Sequence, residues 1–182
     1  FEKDLPGGRT KSYATSEEDI GNLPLEVCET INGSWGFNLQ DRKHKSIKTL
    51  IHYLIKAAGY DSNFLLNVGP MPNGKIQKEH IDSLNEIGKW IKLNGNTIYG
   101  TTGGEINPTN EIAITKKKNI KYIHLLGNKI KYVIEGYSPK IKSLKYYHSR
   151  KNVKYKIENN NLIINVNTNE LNEIDTILIL ES

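Results

Sequence analysis

Asn63-Phe64-Leu65-Leu66-Asn67-Val68-Gly69-Pro70 is a nearly unbroken apolar run closed by a Gly-Pro pair. A strand covered on both faces has no reason to alternate polar and apolar residues, so this run predicts a buried strand of a parallel sheet. Upstream of it, Ile47, Leu50, Ile51, Leu54, Ile55 and Ala58 recur at steps of three and four. Ser46 before them suits an N-cap and Gly59 after them a C-cap, which predicts an amphipathic helix. Downstream, Pro72-Asn73-Gly74 makes a turn. Ile76, Ile81, Leu84, Ile87 and Ile91 then lay out a second helical stripe ending at Asn94-Gly95, with Trp90 beside it. Further back, Leu23-Pro24-Leu25-Glu26-Val27-Cys28 is a short apolar run that fits another buried strand, with Pro24 at its start.

The order is therefore strand, helix, strand, helix, which marks βα units of a parallel sheet or barrel whose functional residues sit at the carboxyl ends of strands. Two units cannot close a barrel of eight. They form either a small open sheet or the last part of a larger barrel. Residues 1 to 22 hold few apolar side chains and many turn formers, including Pro6-Gly7-Gly8 and Ser16-Glu17-Glu18-Asp19, and read as a long irregular segment of the kind that often carries function.

After Gly103-Gly104 the hydrophobic period shortens from about 3.6 to about 2. Ile120 to Leu125 and Lys129 to Ile134 alternate as half-buried antiparallel strands do. Leu144 to Tyr147, Val153 to Ile157, Leu162 to Val166 and Thr176 to Leu180 add further strands between turn signals. Short strands at this spacing predict a small antiparallel β-sandwich. The expected division is thus an α/β unit over residues 1–104 and an all-β unit over 105–182.

Composition narrows the function classes. A hydrophobic fraction of 37% and a charged fraction of 25% are those of an ordinary soluble protein, and no apolar run approaches the roughly 20 residues of a membrane helix. The net charge of +5 comes wholly from the second half, but its lysines alternate with apolar residues as the solvated face of strands would, so neither nucleic acid nor membrane is expected as a partner. Cys28 is the single cysteine and cannot form an internal disulfide. No histidine pair has metal-ligand spacing, and no nucleophile elbow, phosphate loop or dinucleotide fingerprint occurs, so no metal or cofactor is expected.

Glu26 stands between Leu25 and Val27 at the end of a predicted buried strand. Burial disfavours the carboxylate ion, and this is how a glycosidase keeps an acid protonated near neutral pH. An ion-paired structural Glu is the other reading of the same position. Trp35 lies in Asn32-Gly33-Ser34-Trp35-Gly36-Phe37-Asn38, where glycines let a loop fold tightly enough to present an aromatic ring. Such a ring either anchors the loop or offers a flat surface to the C–H face of a sugar.

Leu25-Glu26-Val27-Cys28-Glu29-Thr30-Ile31-Asn32-Gly33-Ser34-Trp35-Gly36-Phe37 closely resembles a segment of the family 29 α-L-fucosidases. The run 63–70 followed by Asn73-Gly74 resembles that family's last barrel strand. Ile87-Gly88-Lys89-Trp90-Ile91-Lys92-Leu93-Asn94-Gly95 with Ile98-Tyr99-Gly100-Thr101 is similar to its last barrel helix and exit. The resemblance covers residues 1 to 104 and implies a (β/α)8-type barrel followed by a β-sandwich. It implies hydrolysis of terminal α-L-fucose from a fucosylated oligosaccharide or glycoconjugate with retention, an Asp attacking and a Glu protonating. It implies Glu26 as general acid/base with Glu29 as rival, Trp35 and Phe37 in the sugar pocket, and Arg9 as a hydroxyl contact. It also favours a secreted or periplasmic protein; oligomeric state is not legible. The family's nucleophilic Asp belongs in a Trp-x-Asp-Gly type of context, and no Asp in this sequence has it. The chain alone is therefore expected to lack fucosidase activity. The alternative is a non-catalytic carbohydrate-binding β-sandwich, in which tyrosines 122, 132, 137, 146, 147 and 155 stack on sugars.

Overall fold

The computed structural model describes residues 25–182. It opens with strand β1 (Leu25–Thr30), helix α1 (Ile47–Gly59), strand β2 (Ser62–Asn67) and helix α2 (Lys78–Asn94), followed by a 3-10 turn at Gly95–Thr97. β1 and β2 pair in parallel with Glu26 opposite Asn63, Cys28 opposite Leu65 and Thr30 opposite Asn67. The Ser46 hydroxyl caps α1 by accepting from the Thr49 amide at 3.1 Å.

Three details depart from the sequence reading. Gly59 is the last helical residue rather than a cap beyond it. Its value is space: a Cβ there would stand 2.7 Å from the Pro108 ring. The buried stripe of α2 is His80, Ser83, Ile87, Trp90 and Asn94, so Trp90 lies within it, while Ile81 and Leu84 are exposed. The apolar pattern misled because this helix buries a histidine, a serine and an asparagine in place of the expected aliphatics. Third, the Phe64 and Leu66 face of β2 packs toward the helices, whereas Leu65 on the other face is 43% exposed. Among the described residues the face of Glu26, Cys28, Asn63 and Leu65 has no covering layer, so the expectation of a strand buried on both faces is met on one only.

The rest is antiparallel β. Strands β3 (Thr102–Gly103), β4 (Ile112–Lys117), β5 (Ile120–Leu125), β10 (Thr176–Glu181) and β7 (Ser143–Tyr146) form a five-stranded sheet in that order. β6 (Lys131–Ile134), β9 (Asn161–Asn165) and β8 (Lys154–Glu158) form a three-stranded one. The two sheets enclose a core that includes Ile114, Ile123, Leu125, Tyr132, Leu162, Ile164, Leu178 and Leu180. That is the expected antiparallel sandwich.

The sequence reading passed over β4, because Ile112-Ala113-Ile114-Thr115 lacks alternation. The reason is burial on both faces: the opposite side of the five-stranded sheet carries Ala113, Tyr122, Ile177 and Ile179 into a second core with Leu50, Ile51, Ile55, Ile87 and Trp90 of the helices. β5 is accordingly buried along most of its length instead of half-buried. The tyrosines follow suit. Tyr122, Tyr132, Tyr137 and Tyr146 are buried in the cores, which corrects the expectation that they form a stacking surface for sugars.

Candidate functional site

In a parallel pair the two carboxyl ends lie on one side, and here that side carries the loop of residues 31–46. Its construction is dense. The Lys45 ammonium donates to the backbone oxygens of Thr30 and Asn32, each at 2.7 Å, and pairs with the Glu29 carboxylate at 2.9 Å. Glu29 also accepts from the Thr30 amide at 2.8 Å. Charge-assisted bonds of this kind hold better than neutral ones, and both side chains are mostly buried. Glu29, the rival acid, is thereby engaged in tying the loop to the end of β1.

The Asp41 carboxylate makes the second clamp. It accepts from the Ser34 hydroxyl and the Gly33 amide, both at 2.8 Å. The Ser34 bond, aided by Gly33, holds the Asp41 carboxyl below its usual range. The sequence reading missed Asp41; its only signal was a carboxylate following a Gly-Ser turn, which many loops contain.

Trp35 stands on this clamped turn with 55% of its surface exposed. Its backbone oxygen accepts from the Asn67 side-chain amide at 2.6 Å, so the last residue of β2 holds the turn from beneath. Two residues on, Gly69 lies directly under the loop: a Cβ there would meet the Gly36 carbonyl carbon and the Phe37 nitrogen at 2.5 Å each. Both neighbours are backbone, so only glycine fits. Phe37 is half-buried and Leu39 is exposed. A rigid loop with an outward indole ring at the carboxyl ends of parallel strands can offer a stacking surface to an amphipathic ring such as a sugar.

Phe37 also borders a cleft of about 500 Å³ that continues over Asn38, Asp41, Arg42 and His44 to Met71, Gln77 and Glu79. A groove of similar size, between Ala58, Asp61, Asn63 and Tyr99, lies at the other end of the strands and away from the indole.

Glu26 is placed differently from expectation. β1 runs on to Thr30, two residues past the end of the predicted strand, so Glu26 lies four residues before its carboxyl end. The Cys28 thiol approaches its carboxylate at 3.8 Å, on the uncovered face of the pair. Trp35 and Phe37 both belong to the loop beyond the carboxyl end of β1. Arg9 lies outside the described residues. Among the described residues no group of three or more His, Cys, Asp or Glu side chains could hold a metal ion, and no helix is long and apolar enough to cross a membrane.

Comparison with known proteins agrees with this arrangement. The family model described as alpha-L-fucosidase matches residues 3–96. The chain is 32% identical to the tissue alpha-L-fucosidase of Bos taurus over 114 residues, covering 60% of this chain and 24% of that protein. It is 35% identical to the alpha-L-fucosidase of Dictyostelium discoideum over 79 residues, covering 42% of this chain and 17% of that protein. Among solved structures, alpha-L-fucosidase isoenzyme 1 from Paenibacillus thiaminolyticus superposes with a TM-score of 0.79 at 28% identity, over 99% of this chain and 44% of that one. The alpha-fucosidase of Thermotoga maritima in complex with fucose gives 0.80 at 26% identity, over 90% and 40%. The chain thus spans a quarter or less of those curated relatives and under half of those solved chains.

Proposed function

Since the chain belongs to the α-L-fucosidase family, glycoside hydrolase family 29, we propose that it forms part of a retaining enzyme that removes terminal α-L-fucose from oligosaccharides or glycoconjugates. Residues 1–104 supply the last βα units of its (β/α)8-type barrel and residues 105–182 its β-sandwich. The observation that carries the reading is the clamped Trp35 turn at the carboxyl ends of two parallel strands. The uncovered face of Glu26, Cys28, Asn63 and Leu65 supports it, because that face would look into a barrel closed by further strands.

In double displacement a carboxylate attacks the anomeric carbon while an acid about 5 to 5.5 Å away protonates the departing glycosidic oxygen, and the same group then takes a proton from water as it displaces the enzyme carboxylate. The indole of Trp35 and the ring of Phe37 would hold the sugar's apolar faces through both steps. The attacking Asp comes from a strand that residues 1–182 do not contain, so this stretch alone turns over no fucoside.

Three described carboxylates are close to β1 and its loop. Asp41 is held ionised by Ser34 and Gly33, and Glu29 is ion-paired to Lys45. Glu26 lies on the face of the strand pair that has no covering layer among the described residues, four residues before the end of β1. Glu26 is accordingly the general acid/base of this reading, with Glu29 as its rival.

The test uses the enzyme that contains this chain, with aryl fucosides of good and poor leaving groups. Loss of the acid slows only substrates whose leaving group needs a proton, by roughly 10²-fold or more. Glu26→Gln is expected to show that selectivity and Glu29→Gln to lack it. Selective loss in Glu29→Gln instead would move the acid/base role to that residue. Absence of fucoside turnover by the enzyme would end the reading altogether.

A further inference from the structure

A separate groove of about 280 Å³ lies in the sandwich, where the end of β9 meets the start of β8 and Tyr146 of β7. Its size is just under the roughly 300 to 1,000 Å³ of drug-sized sites, so it admits one small unit. Its polar groups are rich in donors that lack acceptors. Tyr146 is buried, and its hydroxyl accepts from the Asn167 amide at 2.8 Å, which leaves the phenol hydrogen with no acceptor among the described residues. The side-chain oxygen of Asn167 accepts from the Asn169 amide at 3.0 Å, so its NH2 group is what it offers the groove. The side chains of Asn152, Lys154 and Asn165 make no hydrogen bond or ion pair among the described residues. The one carboxylate in the lining, that of Glu170, is paired with Lys151 at 2.8 Å. A buried hydroxyl hydrogen, side-chain NH2 groups and an unpaired ammonium are the partners an oxyanion needs.

The charge around the groove has the matching sign. On the outer face of the three-stranded sheet Lys131 and Lys154 stand on either side of Asn165 in one row, about 10 Å apart at roughly 4.8 Å per strand. All three are exposed. The positive stretch is short, because further along β8 Lys156 is paired with Glu158, the last residue of the strand. Nucleic acid and anionic membranes call for cations spread along a track or a plane, whereas a local charge of this extent fits a single acidic unit. We infer that this groove binds an acidic sugar residue, one carrying a carboxylate or a sulfate ester, with Lys154 and the Tyr146 hydroxyl on the oxyanion and the asparagine amides on ring hydroxyls. That a sugar carries the oxyanion rests on the fucosidase reading; the donor-rich groove does not. It gives the sandwich a hold on acidic glycoconjugates.

The experiment titrates the enzyme that contains this chain, by calorimetry, with sialyllactose, sulfated N-acetylglucosamine, lactose and inorganic sulfate, and repeats the series on Lys154→Gln and Asn165→Ala. Both positions are exposed, so neither change threatens folding. Saturable binding of an acidic sugar is expected, with lactose and Lys154→Gln each weaker by roughly tenfold and Asn165→Ala weaker by less. Binding of sialyllactose alone marks a carboxylate site, and binding of the sulfated sugar alone a sulfate site. No binding of either, or an affinity unmoved by Lys154→Gln, overturns the proposal. So does inorganic sulfate that binds as tightly as the acidic sugars, or a DNA duplex or phosphatidylserine vesicles that displace them at lower concentration. Turnover of an aryl fucoside is measured on the same samples and is expected to be equal in parent and variants. If the parent turns over none, the fucosidase reading fails by itself, and the titration still judges the groove.

Discussion

The side-chain amide of Asn67, the last residue of β2, donates to the backbone oxygen of Trp35 at 2.6 Å across 32 positions of sequence. This single bond links the strand that decides the fold to the loop that carries the exposed indole. Asn67→Ala is expected to leave global stability within about 1 kcal/mol, because the bond is solvent-exposed and the freed carbonyl can turn to water. It should free the turn instead. Acrylamide quenching of Trp35, read against buried Trp90, should rise; unchanged quenching would show that Asp41 holds the turn without help from β2.

Gly69 sets the height of the same loop. In Gly69→Ala the new methyl meets backbone atoms of Gly36 and Phe37, which cannot rotate away. Overpacking of this kind costs roughly 1 to 3 kcal/mol. A lowered thermal midpoint together with a raised KM for fucosides is the expected result, and a variant as stable as the parent with normal KM would mean that the loop is not seated on β2.

Lys45 and Glu29 behave asymmetrically when cut. Lys45→Met leaves a mostly buried carboxylate without its cation and two backbone oxygens without a donor, with an expected loss of about 3 kcal/mol. Glu29→Gln keeps a neutral acceptor for Lys45 and the Thr30 amide and should cost clearly less. Denaturant unfolding of both variants decides the point; equal losses would show that the ion pair itself, rather than the loop's carbonyls, is the anchor.

Two histidines give the protein a pH dependence of predictable sign. Among the described residues, neither ring nitrogen of the buried His80 has a partner, and desolvation lowers its pKa; burial lowers that of His52 as well. A base whose pKa is lower folded than unfolded binds its proton more readily in the unfolded chain. Its contribution is complete above the unfolded value near 6.5 and is lost as pH falls toward the folded one. Stability in urea should therefore drop from pH 7.5 to 5.5, and His80→Leu should flatten that slope. A slope unaffected by the substitution would place the titration elsewhere.

Helix α1 was legible because its whole signal is local: Ser46 caps it, and its apolar stripe meets one core. The strands of the sandwich were legible for the same reason wherever one face met solvent. α2 was misread in its stripe because His80, Ser83 and Asn94 are buried polar residues, and hydropathy cannot tell a polar side chain that finds a place inside from one that faces water. β4 escaped because a strand buried on two sides has no alternation to read.

The sequence by itself determined the element order, the parallel pair, the antiparallel sheets and the family, since these depend on periodicity and on motifs carried by neighbouring residues. Only the tertiary structure decided which end of β1 each side chain occupies. It put Glu26 four residues before the carboxyl end of β1, Glu29 on Lys45, and the Trp35 turn on Asn67 and Gly69. A shift of two residues in where a strand ends leaves its hydrophobic pattern nearly unchanged, yet it moves a carboxylate by about 7 Å relative to that end, and chemistry at a single bond depends on that distance.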